Sequence, residues 1–275
     1  MIKNFNNGFS ILLSGFALFA ALACNASFTV LNSTPTPMVL PTQAPVQPTA
    51  TSAPSISQQV TLVTVPFSET DPGGDFPTYT ITSQTPQLTG SDDPRAAAFN
   101  QRINGLIASE TDMWRQSFRQ LSVTPYSNGS SLDVKYALVS QIGDLWSFKF
   151  DFSFYSDGAA HPGLYSITVN YDLGQGRELA LGDLFLLNSN YLEAISNYCT
   201  AELSKQPFAD PVFLEGAKPT VENYRNWNIT PNGLMITFDE YQVAPGAAGP
   251  QTVVVPYAEL KSLIDPQGVL MSIVP

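Results

Sequence analysis

The hydrophobic pattern changes period several times along the chain, and each change marks an element. Residues from Phe9 to Ala23 are almost continuously apolar, about the length of a signal-peptide core and short for a membrane span. Further on, β-branched residues cluster in two short stretches, Val60 to Val65 and Thr78 to Thr82, divided by the turn-rich Asp71-Pro-Gly-Gly-Asp75. Asp92-Asp-Pro94 then supplies an N-cap followed by proline at the first helical position. Phe99, Ile103, Leu106, Ile107, Trp114, Phe118 and Leu121 recur at intervals of three and four, which predicts a helix from about Pro94 to Gln120 with one buried stripe.

Beyond this helix the period drops to two. Ser131 to Gln141 and Leu145 to Tyr155 read as paired strands across Ile142-Gly-Asp144. In the second, Trp146, Phe148, Phe150, Phe152 and Phe154 alternate with Ser147, Lys149, Asp151, Ser153 and Tyr155, predicting an aromatic core face and a solvent face. A third strand from Leu164 to Leu173 leads through the Gly174-Gln-Gly176 turn to the short Glu178 to Leu181. A second helix covers about Ser189 to Ser204, with Tyr191, Leu192, Ile195, Tyr198 and Cys199 on one face, which makes Cys199 a buried structural thiol. Strands Asn226 to Ile229 and Leu234 to Phe238 flank the hairpin signal Pro231-Asn-Gly233. A last strand from Gln251 to Val255 runs into a short helix from Tyr257 to Ile264. Without strict βαβα alternation the pattern reads as α+β, with antiparallel sheets packed against two main helices and a short C-terminal helix. It forms one unit in two sequence segments, 59–144 and 145–275.

The apolar leader, residues 1–23, reads as an export signal and ends in Ala21-Leu22-Ala23-Cys24. These residues resemble the lipobox of bacterial lipoproteins, which implies that Cys24 becomes the first residue and carries a diacylglycerol. The alternative is an ordinary signal peptide cut near Ala23. A diacyl anchor supplies the two chains that stable attachment needs, so the resemblance places the protein on the extracytoplasmic face of a cell membrane. From Asn25 to Gln58 there is no charged residue but six prolines and eleven Ser/Thr. Such a tract, 24–58 with its anchor, cannot build a core and reads as a stalk, about 100 Å long if fully extended.

Composition narrows the functional classes. With 12 Lys+Arg against 23 Asp+Glu the net charge is −11, the wrong sign for a phosphate backbone, so no nucleic acid partner is expected. Two cysteines and one histidine leave little for zinc, haem or iron–sulfur ligation, and no cofactor or metal is expected. His161, in Ser156-Asp-Gly-Ala-Ala-His-Pro-Gly163, lacks a G-x-S-x-G elbow and reads as part of a tight connection. Calcium held through Asp71/Asp75 or Asp151/Asp157 would lack EF-hand spacing. Paired carboxylates for a glycan hydrolase could come from Glu178, Asp183, Asp239 and Glu240, although nothing in the sequence pairs any two of them. The candidates for ligand recognition are Ser156, Asp157, His161 and Pro162 in one loop, and Tyr241, Pro245 and Gly246 in the small-residue loop Phe238 to Gly249.

Several ordered motifs carry a family resemblance. Gly158-Ala-Ala-His161-Pro162, Asp172-Leu-Gly-Gln-Gly-Arg-Glu-Leu-Ala-Leu-Gly-Asp-Leu-Phe185, and Phe238-Asp-Glu-Tyr241-Gln-Val-Ala-Pro245-Gly-Ala-Ala-Gly249 with the following Val-Val-Val-Pro-Tyr-Ala-Glu-Leu260 resemble the extracytoplasmic region of anti-sigma-V (RsiV-like) factors. They also resemble the non-catalytic N-terminal region of a type of peptidoglycan deacetylase. The resemblance implies a non-enzymatic envelope lipoprotein that binds a protein or glycan, most specifically lysozyme, with peptidoglycan as the other candidate partner. The transmembrane and sigma-binding parts and the deacetylase domain are not matched, so neither activity carries over. The two other readings are the glycan hydrolase and a structural domain without ligand.

Overall fold

A computed structural model describes residues 55–210 and 213–274. The leader, Cys24 and the stalk up to residue 54 lie outside the described residues. Ser55 to Ser57, assigned to the stalk from sequence, already belong to the packed body: Ile56 is buried, and Ser55 Oγ and Ser57 N both donate to Asp144 Oδ1, at 2.8 and 3.0 Å. Every contact below lies within residues 55–274, so a chain starting at Asn25 keeps all of them.

The first strands, β1 (Thr61–Asp71) and β2 (Tyr79–Thr89), are longer than the β-branched clusters and pair along their whole length. Helix α1 (Pro94–Arg119) starts where its cap signal stands, with Asp93 Oδ1 accepting from Arg95 N at 2.9 Å. Next come β3 (Ser130–Ile142), β4 (Leu145–Tyr155), β5 (Gly163–Asp172) and the short β6 (Arg177–Glu178). These six strands form one sheet in sequence order. One pairing departs from the all-antiparallel expectation: β2 and β3 run parallel, with Tyr79 opposite Ser130. The chain must cross the sheet to make that pair, and α1 is the crossover. Its stripe of Phe99, Ile103, Leu106, Ile107 and Phe118 packs on the aromatic face with Phe148, Phe150, Phe152 and Val169. Each fully buried Phe contributes about 1.5–3 kcal/mol to that face.

The second half holds α2 (Tyr191–Leu203), β7 (Trp227–Thr230), β8 (Gly233–Phe238), β9 (Gln251–Pro256) and α3 (Tyr257–Leu260). Strands β7, β8 and β9 form an antiparallel three-stranded sheet, and their core gathers Ile195, Cys199 and Leu203 of α2 with Leu260. Cys199 is fully buried, as expected, and burial pushes its thiol up to about 12, where it is inert. The two cores divide after Leu173, with Leu145 at the start of β4 and the partly buried Ile142 at the end of β3 joining the second.

The alternation of β4 predicts a solvent face, and that face meets solvent only toward its end, where Ser153 is exposed; its start is covered. Ser147 is 1% exposed, and Ser166 and Asn170 on β5 are each 2% exposed. Ser147 and Asn170 are covered by β7, whose outward backbone edge they satisfy, while Ser166 bonds to Asp239 and Asp151. Trp227 N donates to Thr168 Oγ1 at 2.9 Å, and Asn170 Nδ2 donates to Trp227 O at 2.7 Å. Ile229 N donates to Ser147 Oγ and Asn170 Oδ1 at 3.0 and 3.1 Å, while Ser140 Oγ donates to Ile229 O. A bulge between Leu138 and Ser140 turns Ser140 from the aromatic face to this seam. Asn228 Nδ2 adds bonds to Ser147 Oγ and Phe148 O at 3.0 and 2.9 Å.

Because these groups are buried, removing one partner strands the others. Asn170→Ala leaves Trp227 O without a donor and the Ser147 O–H without an acceptor, and should destabilise the protein by about 2–3 kcal/mol. Urea unfolding checks this, and a loss below about 0.5 kcal/mol would show that the seam is not what holds the sheets together.

Candidate functional site

The β4–β5 connection is held rigidly. Asp157 Oδ1 accepts from Asn128 N at 2.6 Å and Gly129 N at 2.9 Å, and Asp157 N donates to Ser130 Oγ at 2.9 Å. Ser156 O accepts from Ala159 N at 2.9 Å, closing a turn through Gly158 at φ +82°. These two residues therefore shape the loop. His161 is exposed, with Nδ1 2.9 Å from Pro162 O.

The β8–β9 connection is anchored from below. Asp239 is nearly buried: its Oδ1 accepts from Ser166 N on β5 at 2.8 Å, and its Oδ2 takes Arg225 Nη2 at 2.7 Å and Asn226 Nδ2 at 3.2 Å. Gln242 Oε1 accepts from Asp239 N at 3.1 Å, and Gln242 Nε2 donates to Gly216 O and Asn223 O at 3.0 and 2.9 Å. Between these anchors Tyr241 adopts φ +65°, a left-handed conformation that costs a bulky residue about 1–2 kcal/mol. The ring folds over Gly246, where a Cβ would stand 2.2 Å from Tyr241 Cζ, yet the residue stays 58% exposed.

The two loops meet. His161 and Pro162 on one side, and Glu240, Tyr241, Gly246 and Ala247 on the other, line an open cleft of about 370 Å3. Of the recognition candidates, His161, Pro162, Tyr241 and Gly246 share this cleft. Ser156 and Asp157 support it, and Pro245 caps the short 3₁₀ turn Gly246–Ala248. Sequence reasoning missed Arg225, Asn226, Ser166 and Gln242, which fix the second loop. For Ser166 the available signal was the run of small polar residues alternating with aromatics on β4 and β5; the other three lie outside those strands and carried none.

Three of the four carboxylates weighed for hydrolysis are engaged in ion pairs, and the fourth, Glu240, lines the cleft. Glu178 pairs with Arg102, Asp183 with Arg177 at 2.7 Å, and Asp239 with Arg225. Asp239 and Glu240 are neighbours only through the chain. Burial raises the Asp183 carboxyl, but Arg177 and the Ala180 N–H outweigh it and leave it below its ordinary value, the opposite of what a general acid requires. Asp71 is bound to Arg119, and Asp151 to Lys149. Among the described residues no three His, Cys, Asp or Glu side chains are grouped to hold a metal ion, and no helix is long and apolar enough to cross a membrane. What the cleft offers is an aromatic ring, an imidazole and a carboxylate on a rigid frame.

Asp157 gives a pH test of that frame. The Ser127 hydroxyl, then the Asn128 and Gly129 N–H groups, hold its carboxyl below the ordinary 3.8 against the opposing effect of burial. A depressed carboxylate stabilises the fold fully above its unfolded value and loses that contribution as pH falls through the folded one. Amide exchange at Asn128 and Gly129, corrected for intrinsic rates, should therefore stay protected above pH 4 and lose protection progressively below 3.8. In Asp157→Ala the protection should be absent at every pH.

Comparisons with known proteins bear on one side of this cleft. Residues 182–258 match a family described as "Protein of unknown function (DUF3298)", a span that includes α2, the whole of the small sheet and the Tyr241 loop. The chain is 33% identical over 113 residues to the Bacillus subtilis peptidoglycan-N-acetylmuramic acid deacetylase PdaC, covering 40% of this chain and 24% of that one. It is 25% identical over 107 residues to the immunogenic protein MPT64 of Mycobacterium tuberculosis, covering 39% and 47%. In neither case does the match reach half of the relative's length. Two solved structures share the fold: a DUF3298 family member from Bacteroides fragilis (TM-score 0.56, 16% identity, 78% of this chain and 97% of that one) and one from Pseudomonas aeruginosa PAO1 (TM-score 0.51, 17% identity, 75% and 95%).

Proposed function

We propose that this chain is a non-catalytic, lipid-anchored envelope protein, tethered through Cys24 on the extracytoplasmic face, whose two-loop cleft captures a cationic protein. Lysozyme is the ligand to which the anti-sigma-V resemblance points. The observation that carries the reading is the convergence of two separately anchored loops on a strained, exposed Tyr241. Strain of that kind persists only where the surroundings impose it, and it clusters at binding sites. An exposed Tyr on a rigid loop offers a large contact area at little entropic cost. The acidic balance, 11 basic against 23 acidic residues from 59 to 275, would steer a basic partner. Similarity to part of a peptidoglycan deacetylase supports an envelope setting. Binding is preferred over hydrolysis because Glu178, Asp183 and Asp239 each sit in an ion pair with an arginine.

The test is titration of lysozyme into residues 25–275 at low and high salt, with a peptidoglycan pull-down alongside. Saturable binding that weakens with salt is expected. Tyr241→Ala should weaken it by more than 1 kcal/mol, the level of an interface anchor, with the melting temperature little changed, since alanine keeps the Cβ from which the left-handed strain arises. Binding of peptidoglycan alone would transfer the cleft to a glycan ligand, and binding of neither would remove the proposal.

A further inference from the structure

A second pocket, sharing no residue with the cleft, lies between β1, β2 and α1. Phe67, Ile107 and Ala108 form its walls, and Ser83, Thr85 and Thr111 its floor, enclosing about 320 Å3. Its ends are bridged. At one, Gln87 Nε2 of β2 donates to Asn104 Oδ1 of α1 at 3.1 Å. At the other, Arg115 of α1 makes a two-point ion pair with Glu69 of β1, both contacts at 2.8 Å. A strand or helix from a partner would have to break these bridges to run through, so the space suits one small group rather than a polypeptide.

The floor carries the second observation. Ser83 is 3% exposed, and its Oγ has no hydrogen-bond partner. It stands opposite Phe67 in the β1–β2 register and shares a strand face with the buried Ile81 and Thr85, which places it on the face turned to α1. The neighbouring hydroxyl of Thr111 is already used, donating to Ile107 O at 2.8 Å. Leaving a buried hydroxyl unbonded is unfavourable, and native structures rarely do so without a reason. Glu69 and Asp112 both pair with Arg115, and among the described residues no charged side chain lines the space. Apolar walls, one waiting polar atom and a volume at the lower end of ligand sites are the features of a small-molecule pocket.

We propose that this pocket binds a small uncharged molecule, an apolar ring or branched chain bearing one hydroxyl or carbonyl that bonds to Ser83 Oγ. The experiment compares benzyl alcohol with toluene, two probes of similar shape that differ in one hydroxyl, by NMR titration of residues 25–275. Shifts should concentrate at the amides of Ser83, Thr85, Ile107 and Thr111, with benzyl alcohol binding about 2- to 10-fold more tightly, the worth of one net hydrogen bond. Ser83→Ala should abolish the preference without lowering the melting temperature, since the hydroxyl it removes has no partner. Ala108→Phe should exclude both probes. The proposal is overturned if neither probe shifts these amides, which would leave the space to water alone. Equal affinities in the unaltered chain, or a preference that survives Ser83→Ala, would overturn it as well.

Discussion

The structure depends on how the free edge of β7 is satisfied. A strand at the end of a sheet presents a row of unpaired N–H and C=O groups, and this one is buried, out of reach of water. Among the described residues no strand pairs with it. The N–H and C=O groups of Trp227 and Ile229 are instead bonded by Thr168, Asn170, Ser147 and Ser140, side chains standing on the large sheet. Four side chains thus do the work of a neighbouring strand. Because a backbone edge has one periodicity, this fixes where the small sheet sits along β3, β4 and β5, which apolar packing alone would leave free to slide.

The cleft follows from that registration. Strand β8 pairs with β7, so seating β7 on β4 and β5 carries the end of β8 to the start of β5, where Asp239 meets Ser166 N. The loop that leaves β8 is therefore delivered beside the loop that enters β5. Asp157 holds one from the side and Gln242 the other from below. Tyr241 can remain left-handed because residues on both sides of it are pinned, and the absence of a side chain at Gly246 makes room for its ring.

Charged groups serve mainly as ties between elements. Arg115 and Arg119 bind α1 to Glu69 and Asp71 of β1, Arg102 binds it to Glu178 of β6, and Arg225 holds Asp239. Most of these pairs are partly exposed, worth about 0–1 kcal/mol each, so they set geometry more than stability. They also account for why three of the four acidic residues weighed for catalysis, Glu178, Asp183 and Asp239, stand where they do, each facing a guanidinium. The acid left over gives the domain its negative field.

The sequence alone determined the local elements, because their signals are local. The spacing of Phe99, Ile103 and Phe118 specified α1 and its buried face, the Asp93-Pro94 pair specified its start, and the alternation in Trp146 to Phe154 specified β4 to the residue. The small-residue loops around His161 and Tyr241 were also legible as candidates, since Gly, Pro and an exposed Tyr between strands mark connections. The parallel pairing of β2 with β3 was not legible, because chain order does not say on which side of β2 the strand after a helix will lie. The destination of the Ser147, Thr168 and Asn170 face was hidden for a related reason. A polar row bonded to a buried backbone edge has the same composition as one facing water, and only the tertiary structure, by placing β7 against it, decided between them and so brought the two loops together.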